Sequence, residues 1–133
     1  AYGDTVIQTA VPTVNVLLRT SGPVLVDWSH AVIGPAWVDA AGLIVDIIHT
    51  DPIDAPRWNR ADDLVKRVAA EFSPSAHGEP AVEPIVDFLV AVLGLSEREC
   101  RNPDPAGMPQ FREFQRERAS RLRAWLGASE HLA

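Results

Sequence analysis

Asn15 and Asp27 are the residues of this 133-residue chain whose types and surroundings point most directly to chemistry. They close the two ends of Asn15-Val16-Leu17-Leu18-Arg19-Thr20-Ser21-Gly22-Pro23-Val24-Leu25-Val26-Asp27, which reads as a tight β-hairpin with arms 15–19 and 23–27. Gly22-Pro23 is the turn signal, and apolar residues dominate both arms. A hairpin sets the start of its first arm beside the end of its second, so an amide oxygen and a carboxylate meet at one end. Hard oxygen donors of this kind suit Mg²⁺ carried by a nucleotide, which takes one or two protein carboxylates together with phosphate oxygens. On spacing alone, the same two residues also read as the polar ends of an ordinary hairpin.

The other reactive side chains form no comparable constellation. His30, three residues beyond Asp27, could meet a phosphate or a substrate, but an exposed loop histidine is the more ordinary reading. His49, His77 and His131 lack the spacing of a metal cluster. Cys100 has no histidine signature beside it and reads as a packed thiol. Ser29, Ser96 and Ser120 lie in no Gly-x-Ser-x-Gly setting, so hydrolase chemistry has no support. Arg112, Arg116, Arg118, Arg121 and Arg123 crowd one segment, interleaved with Glu113 and Glu117 and followed by Glu130, the pattern of a solvated helix face with i,i+4 pairs.

The elements that must position these residues follow from periodicity. Residues 5–9 are a short β-prone run, 10–14 a loop containing Pro12, and 28–36 irregular up to Gly34-Pro35. A helix is expected from about Ala36 to Thr50. Its apolar residues cover more than one face, which makes it central, and Asp51-Pro52 ends it. A second helix should open at Asn59 or Arg60 and run to Phe72, with Leu64, Val65, Val68, Ala69 and Phe72 on one stripe and Asp62, Asp63, Lys66, Arg67 and Glu71 opposite. A third spans about Ala81 to Arg101, with Pro80 and Pro84 near its first turn. A fourth spans about Met108 to Gly127, with Phe111, Phe114, Leu122, Trp125 and Leu126 inward.

Length and composition fit one globular domain, residues 1–133, with a β-hairpin and loop region over 1–30 and a helical subdomain over 36–127. Hydrophobic residues make up 47% and charged residues 23%, as in soluble domains. The net charge of -6 argues against a nucleic-acid partner. The apolar run 85–95 contains Asp87 and is too short to span a bilayer, so no membrane partner is expected. A single cysteine permits no internal disulfide and fits a reducing, cytoplasmic setting; no signal-peptide pattern opens the chain. Lys66 is the only lysine against eleven arginines, a bias of GC-rich bacterial genomes.

Asn15-Val16-Leu17-Leu18, a short turn, Val24-Leu25-Val26-Asp27-Trp28 and then Gly34-Pro35-Ala36-Trp37-Val38-Asp39 resemble the C-terminal half of the aminoglycoside phosphotransferase-like family, which has a protein-kinase-like fold. Pro105-Ala106-Gly107-Met108-Pro109, leading into Phe111-Arg112-Glu113-Phe114-Gln115 and later Trp125-Leu126, resembles the tail of many actinobacterial members, so the resemblance spans nearly the whole chain. It implies an α+β fold, mostly α: the C-terminal lobe of a protein-kinase-like fold, with a small β-hairpin element followed by about four helices. It implies Asn15 and Asp27 as Mg²⁺ ligands and ATP as the nucleotide. Asp39 would accept backbone N–H groups and hold the catalytic loop.

The departures from the family matter as much. Its catalytic loop runs His-x-Asp-x-x-x-x-Asn. Counting back from Asn15 puts Ala10 in the base position and Gln8 in the position of the loop histidine, with Val11-Pro12-Thr13-Val14 between base and Asn15. Asp4 is eleven residues from Asn15, too far for this loop. Alanine accepts no proton, and general-base help contributes about 10²–10⁴-fold. No Gly-rich phosphate loop, strand lysine or hinge is present in the sequence. The chain begins at Ala1, inside what the resemblance makes a lobe, so a fragment or truncated frame is expected. The implied ancestral activity is ATP-dependent phosphorylation of a hydroxyl on a small acceptor such as an aminoglycoside, choline, a sugar or an amino-alcohol. The isolated chain is expected to be inactive. The alternatives are a non-enzymatic interaction module, including a partner for a separate N-terminal lobe, and a remnant without function. An uncovered lobe would leave Val6, Ile7, Val11, Val14 and Trp28 partly accessible and favour self-association.

Overall fold

Residues 4–9, 13–50, 55–72 and 82–128 are described by a computed structural model. The order is β1 (Thr5–Ile7), a 3₁₀ turn (Thr13–Asn15), β2 (Val16–Arg19), β3 (Gly22–Leu25), β4 (Val32–Gly34), then helices α1 (Trp37–Thr50), α2 (Ala55–Phe72), α3 (Glu83–Glu99) and α4 (Phe111–Ala128). The fold is α+β and mostly helical, with two separate two-stranded antiparallel sheets, β2–β3 and β1–β4.

The hairpin forms where expected, but its turn does not. Arg19 pairs with Gly22, so Thr20-Ser21 are the turn residues and Gly22-Pro23 open the second strand. Gly22 takes φ 116°, a conformation that suits glycine. Pro23, opposite Leu18, lacks the N–H for a ladder bond and so belongs on a short edge strand like this one. The segment expected to be irregular, 28–36, contains β4. It pairs with β1 in the register Thr5–Gly34, Val6–Ile33 and Ile7–Val32. Gly34 makes this possible: a Cβ there would lie 2.6 Å from Ile7 Cδ1. Ile7 is therefore buried, contrary to the expectation that it would be accessible.

The core is helical. Ala41, Ile44, Val45 and Ile48 of α1 pack with Ala61, Val65 and Ala69 of α2, Ile85 and Leu89 of α3, and Leu122 and Trp125 of α4. Spacings of three and four residues put each set on one helix face. α1 touches all three other helices, as its broad apolar surface requires. α2 starts at Ala55 instead of Asn59 or Arg60. Pro56 falls in its first turn, where a missing N–H costs nothing. α3 starts at Glu83 with Pro84 in its first turn, and the expected start at Ala81 lies outside the described residues. It stops at Glu99, where Cys100 N donates to Ser96 O at 3.0 Å and Arg101 N to Arg98 O at 3.2 Å. α4 starts at Phe111, three residues later than expected. Two consecutive turns precede it: Met108 N donates to Pro105 O across Gly107, and Phe111 N donates to Met108 O across Pro109-Gln110. Gly107 and Gln110 both have positive φ, which no helix tolerates.

Two side chains reverse their expected faces. Asp62, expected on the polar face of α2, is buried, and its carboxylate accepts the indole N–H of Trp125 at 3.0 Å. A fully buried tryptophan requires such an acceptor. Phe114, expected inward, is exposed, with His49 packed edge-on against its ring. The arginine-rich face of α4 is only partly a solvated ladder. Arg121 pairs with Glu117 at 2.8 Å in the expected i,i+4 manner. Arg112 and Arg123 instead reach Glu99 and Glu97 of α3. Arg112 also donates through its backbone N–H to Asp104 and through Nε to Pro103 O, tying the end of α3, the connecting loop and the start of α4 together.

Candidate functional site

The four strands meet at one small polar cluster. Val26 N donates to Asn15 O at 3.0 Å, which carries the β2–β3 pairing one step beyond the strands. Asn15 therefore enters the hairpin opposite Val26, and Asp27 leaves it one residue later. The structure brings the two predicted metal ligands to the same end of the hairpin. Asp27 has φ 61°, a left-handed backbone that its short polar side chain tolerates. Its carboxylate accepts the Ser29 hydroxyl at 2.7 Å. The hydroxyl and the backbone N–H of Ser29 hold the Asp27 carboxyl below the usual carboxylate range, and His30 adds to this. Asn15 is half-buried, and Asp27 faces solvent.

Two further residues brace this end. Gln8, placed at the loop-histidine position by resemblance, is fully buried at the end of β1. Its side-chain amide donates to the carbonyls of Val26 and Asp27, the latter at 2.9 Å. Both partners are acceptors, so the NH₂ must face them, and Oε1 is left buried without a partner. The backbone N–H groups of Gln8 and Thr9 donate to the two carboxylate oxygens of Asp39, at 2.8 and 2.9 Å. The Thr9 hydroxyl donates to His30 O at 3.0 Å. One carboxylate in the first turn of α1 thus clamps the segment after β1, and one amide from that segment clamps the exit of the hairpin.

Asp39 accepts backbone N–H groups, as expected. Gln8 and Thr9 as a brace were missed. The only sequence signal was a lone Gln-Thr pair after an apolar β run. Ala10 and Val11 lie outside the described residues, as does Pro12. Cys100 donates to Glu97 O at 3.2 Å beside a shallow depression of about 360 Å³ between α3 and α4, lined by Arg116, Ser120 and Arg123, on elements separate from the hairpin end.

The candidate oxygen donors at the hairpin end are the Asp27 carboxylate, which also accepts the Ser29 hydroxyl, and the Asn15 side chain. Among the described residues no three His, Cys, Asp or Glu side chains gather as a metal-binding group. Two hard oxygen donors suit a Mg²⁺ that brings its own phosphate oxygens and are too few to hold a bare ion. Around the cluster the β surface is apolar and open: Leu18 is 85% exposed, Val14 79% and Ile33 64%, with Val6, Leu17, Trp28 and Val32 also exposed. Of the residues expected to be accessible, Val6, Val14 and Trp28 are. Among the described residues no helix is long and apolar enough to cross a membrane.

No family model matches the chain, and it has no match among curated proteins or solved structures.

Proposed function

We propose that this chain is a degenerate or partial C-terminal lobe of a small-molecule phosphotransferase of the aminoglycoside phosphotransferase-like kind, with little or no phosphoryl transfer of its own. The observation that carries this reading is the double clamp. Asp39 accepts the Gln8 and Thr9 N–H groups, and the Gln8 amide holds the carbonyls of Val26 and Asp27. Such a clamp serves to fix Asp27 and Asn15 relative to the segment between Thr9 and Asn15, where a phosphoryl-transfer base would sit. Asn15 and Asp27 would hold Mg²⁺, which neutralises phosphate oxygens when a nucleotide brings it. At the base position Ala10 supplies no proton acceptor. The acceptor molecule would be a hydroxyl-bearing small molecule, and ATP the donor.

Calorimetric titration of the chain with Mg²⁺-ATP is the test. The expected result is no micromolar binding, since two donors on an open surface enclose no nucleotide. Micromolar binding abolished by Asp27→Ala would overturn the inactive reading and establish a working site.

A second reading, a non-enzymatic interaction module, is favoured by the exposed apolar β surface. A separate N-terminal lobe or a second copy would then cover Val14, Leu18 and Ile33. Light scattering on the chain and on a Val14→Lys/Leu18→Lys variant discriminates between the readings. Both residues are exposed, so the substitutions should change stability by less than about 0.5 kcal/mol. Under this reading they dissolve an oligomer. A monomer in both proteins sinks it.

A further inference from the structure

His49 lies in the last turn of α1, outside the cluster just described. Its ring packs edge-on against Phe114 of α4, centroids 4.6 Å apart at 63°. Its Nδ1 is buried and has no hydrogen-bond partner. One turn along α4 from Phe114, Arg118 is half-buried with its Nε in the same condition. The charged groups acting on the imidazole are Glu117, Arg121 and Arg118 from α4 and Asp46 from α1. Glu117 is already paired with Arg121. Asp51, two residues beyond His49, lies outside the described residues.

The chemistry of this seam favours the neutral ring: burial, Arg118 and Arg121 outweigh Glu117 and Asp46. A neutral imidazole leaves one buried nitrogen unsatisfied, a modest cost. A protonated one makes Nδ1 a charged donor without an acceptor, whichever tautomer it starts from. It also places a third cation beside Arg118 and Arg121, against Glu117 and Asp46. The Arg112 ties to Glu99 and Asp104 hold the start of α4 separately. Arg112 keeps the Glu99 carboxyl below its ordinary range, so that tie survives mild acid. At the other end Leu122 and Trp125 anchor α4 in the core. Between these anchors α4 buries Gln115 and Ala119 and meets His49 at Phe114.

We propose that the α1–α4 seam around His49 is an acid-sensitive latch, closed on the neutral imidazole and loosened over the Phe114–Arg121 stretch of α4 when His49 takes up a proton. Burial holds the His49 imidazole below its ordinary value of 6.5. The folded seam therefore binds a proton less readily than the unfolded chain does. The stability this confers is complete above 6.5 and is lost as pH falls from there toward the lower folded value. Amide hydrogen exchange on the full chain, corrected for intrinsic rates, is the experiment, paired with an NMR titration of the His49 ring. Between pH 7.5 and 5.0, protection over Phe114–Arg121 should fall, by up to about thirtyfold, the ceiling set by the unshifted histidine value. Protection over Arg60–Glu71 of α2 should hold, and His49→Gln should abolish the pH dependence. Equal losses in α2 and α4, or a His49 ring titrating at or above 6.5, would overturn the latch. An undiminished pH dependence in His49→Gln would do the same. If that variant does not fold, the ring titration and the contrast between α2 and α4 in the unaltered chain decide alone.

Discussion

Trp125→Ala is expected to cost about 3–5 kcal/mol of stability, the range for removing a large aromatic from a packed core. Trp125 is fully buried among residues from all four helices. The loss would consume much of the total for a domain of this size, which is about 5–15 kcal/mol. The apolar contacts and the indole hydrogen bond can be separated. Trp125→Phe keeps most of the ring but removes the donor that Asp62 accepts at 3.0 Å inside the core. Depriving a buried acceptor costs about 1–3 kcal/mol. Asp62→Asn keeps an acceptor and should cost less than Trp125→Phe. Urea unfolding of the four proteins measures this. If Trp125→Phe proves as stable as the unaltered chain, the Trp125–Asp62 bond contributes nothing and area alone explains the position.

How far the sequence carries is visible in the same residues. Leu122 and Trp125 were legible as core, because apolar residues at helical spacing bury together whatever they pack against. Asp62 was not legible. Its burial depends on a tryptophan sixty-three positions away, and no local pattern encodes that pairing. β4 was hidden for a related reason. Val32-Ile33-Gly34 is only three residues long, and it is a strand because β1 lies beside it and Gly34 leaves room for Ile7. Turn chemistry misled at the hairpin: Gly22-Pro23 carries a turn signal, but the register makes Thr20-Ser21 the turn residues. At the candidate site, Asn15 and Asp27 were legible as hairpin ends because strand pairing is local. The brace was less so, since the Gln8 amide meets carbonyls eighteen and nineteen residues on. Asp39 as its anchor came from resemblance, not from spacing.

Asp39→Ala should therefore do more than remove a helix-terminal charge, and magnitude decides between the two roles. A carboxylate in the first turn of a helix contributes about 0.3–1 kcal/mol through the macrodipole. Two charge-assisted bonds to the backbone N–H groups of Gln8 and Thr9 contribute more, about 1.5–3 kcal/mol each when shielded from water. The Gln8 bond is partly buried and the Thr9 bond exposed, so a total of about 2–4 kcal/mol is expected. Thr9 also sits at φ 64°, a strained conformation for a β-branched residue that the clamp helps to hold. Asp39→Asn retains one acceptor oxygen and should lose about half as much. The loss should be local: amide protection at Gln8 and Thr9 should fall in Asp39→Ala while α2 and α3 stay protected, because α1 keeps its core contacts through Ala41, Ile44, Val45 and Ile48. A cost below about 1 kcal/mol, with Gln8 and Thr9 still protected, would assign Asp39 to the helix dipole alone. The hairpin end would then have no anchor in the helical core, and the proposed Mg²⁺ site would lose its structural basis.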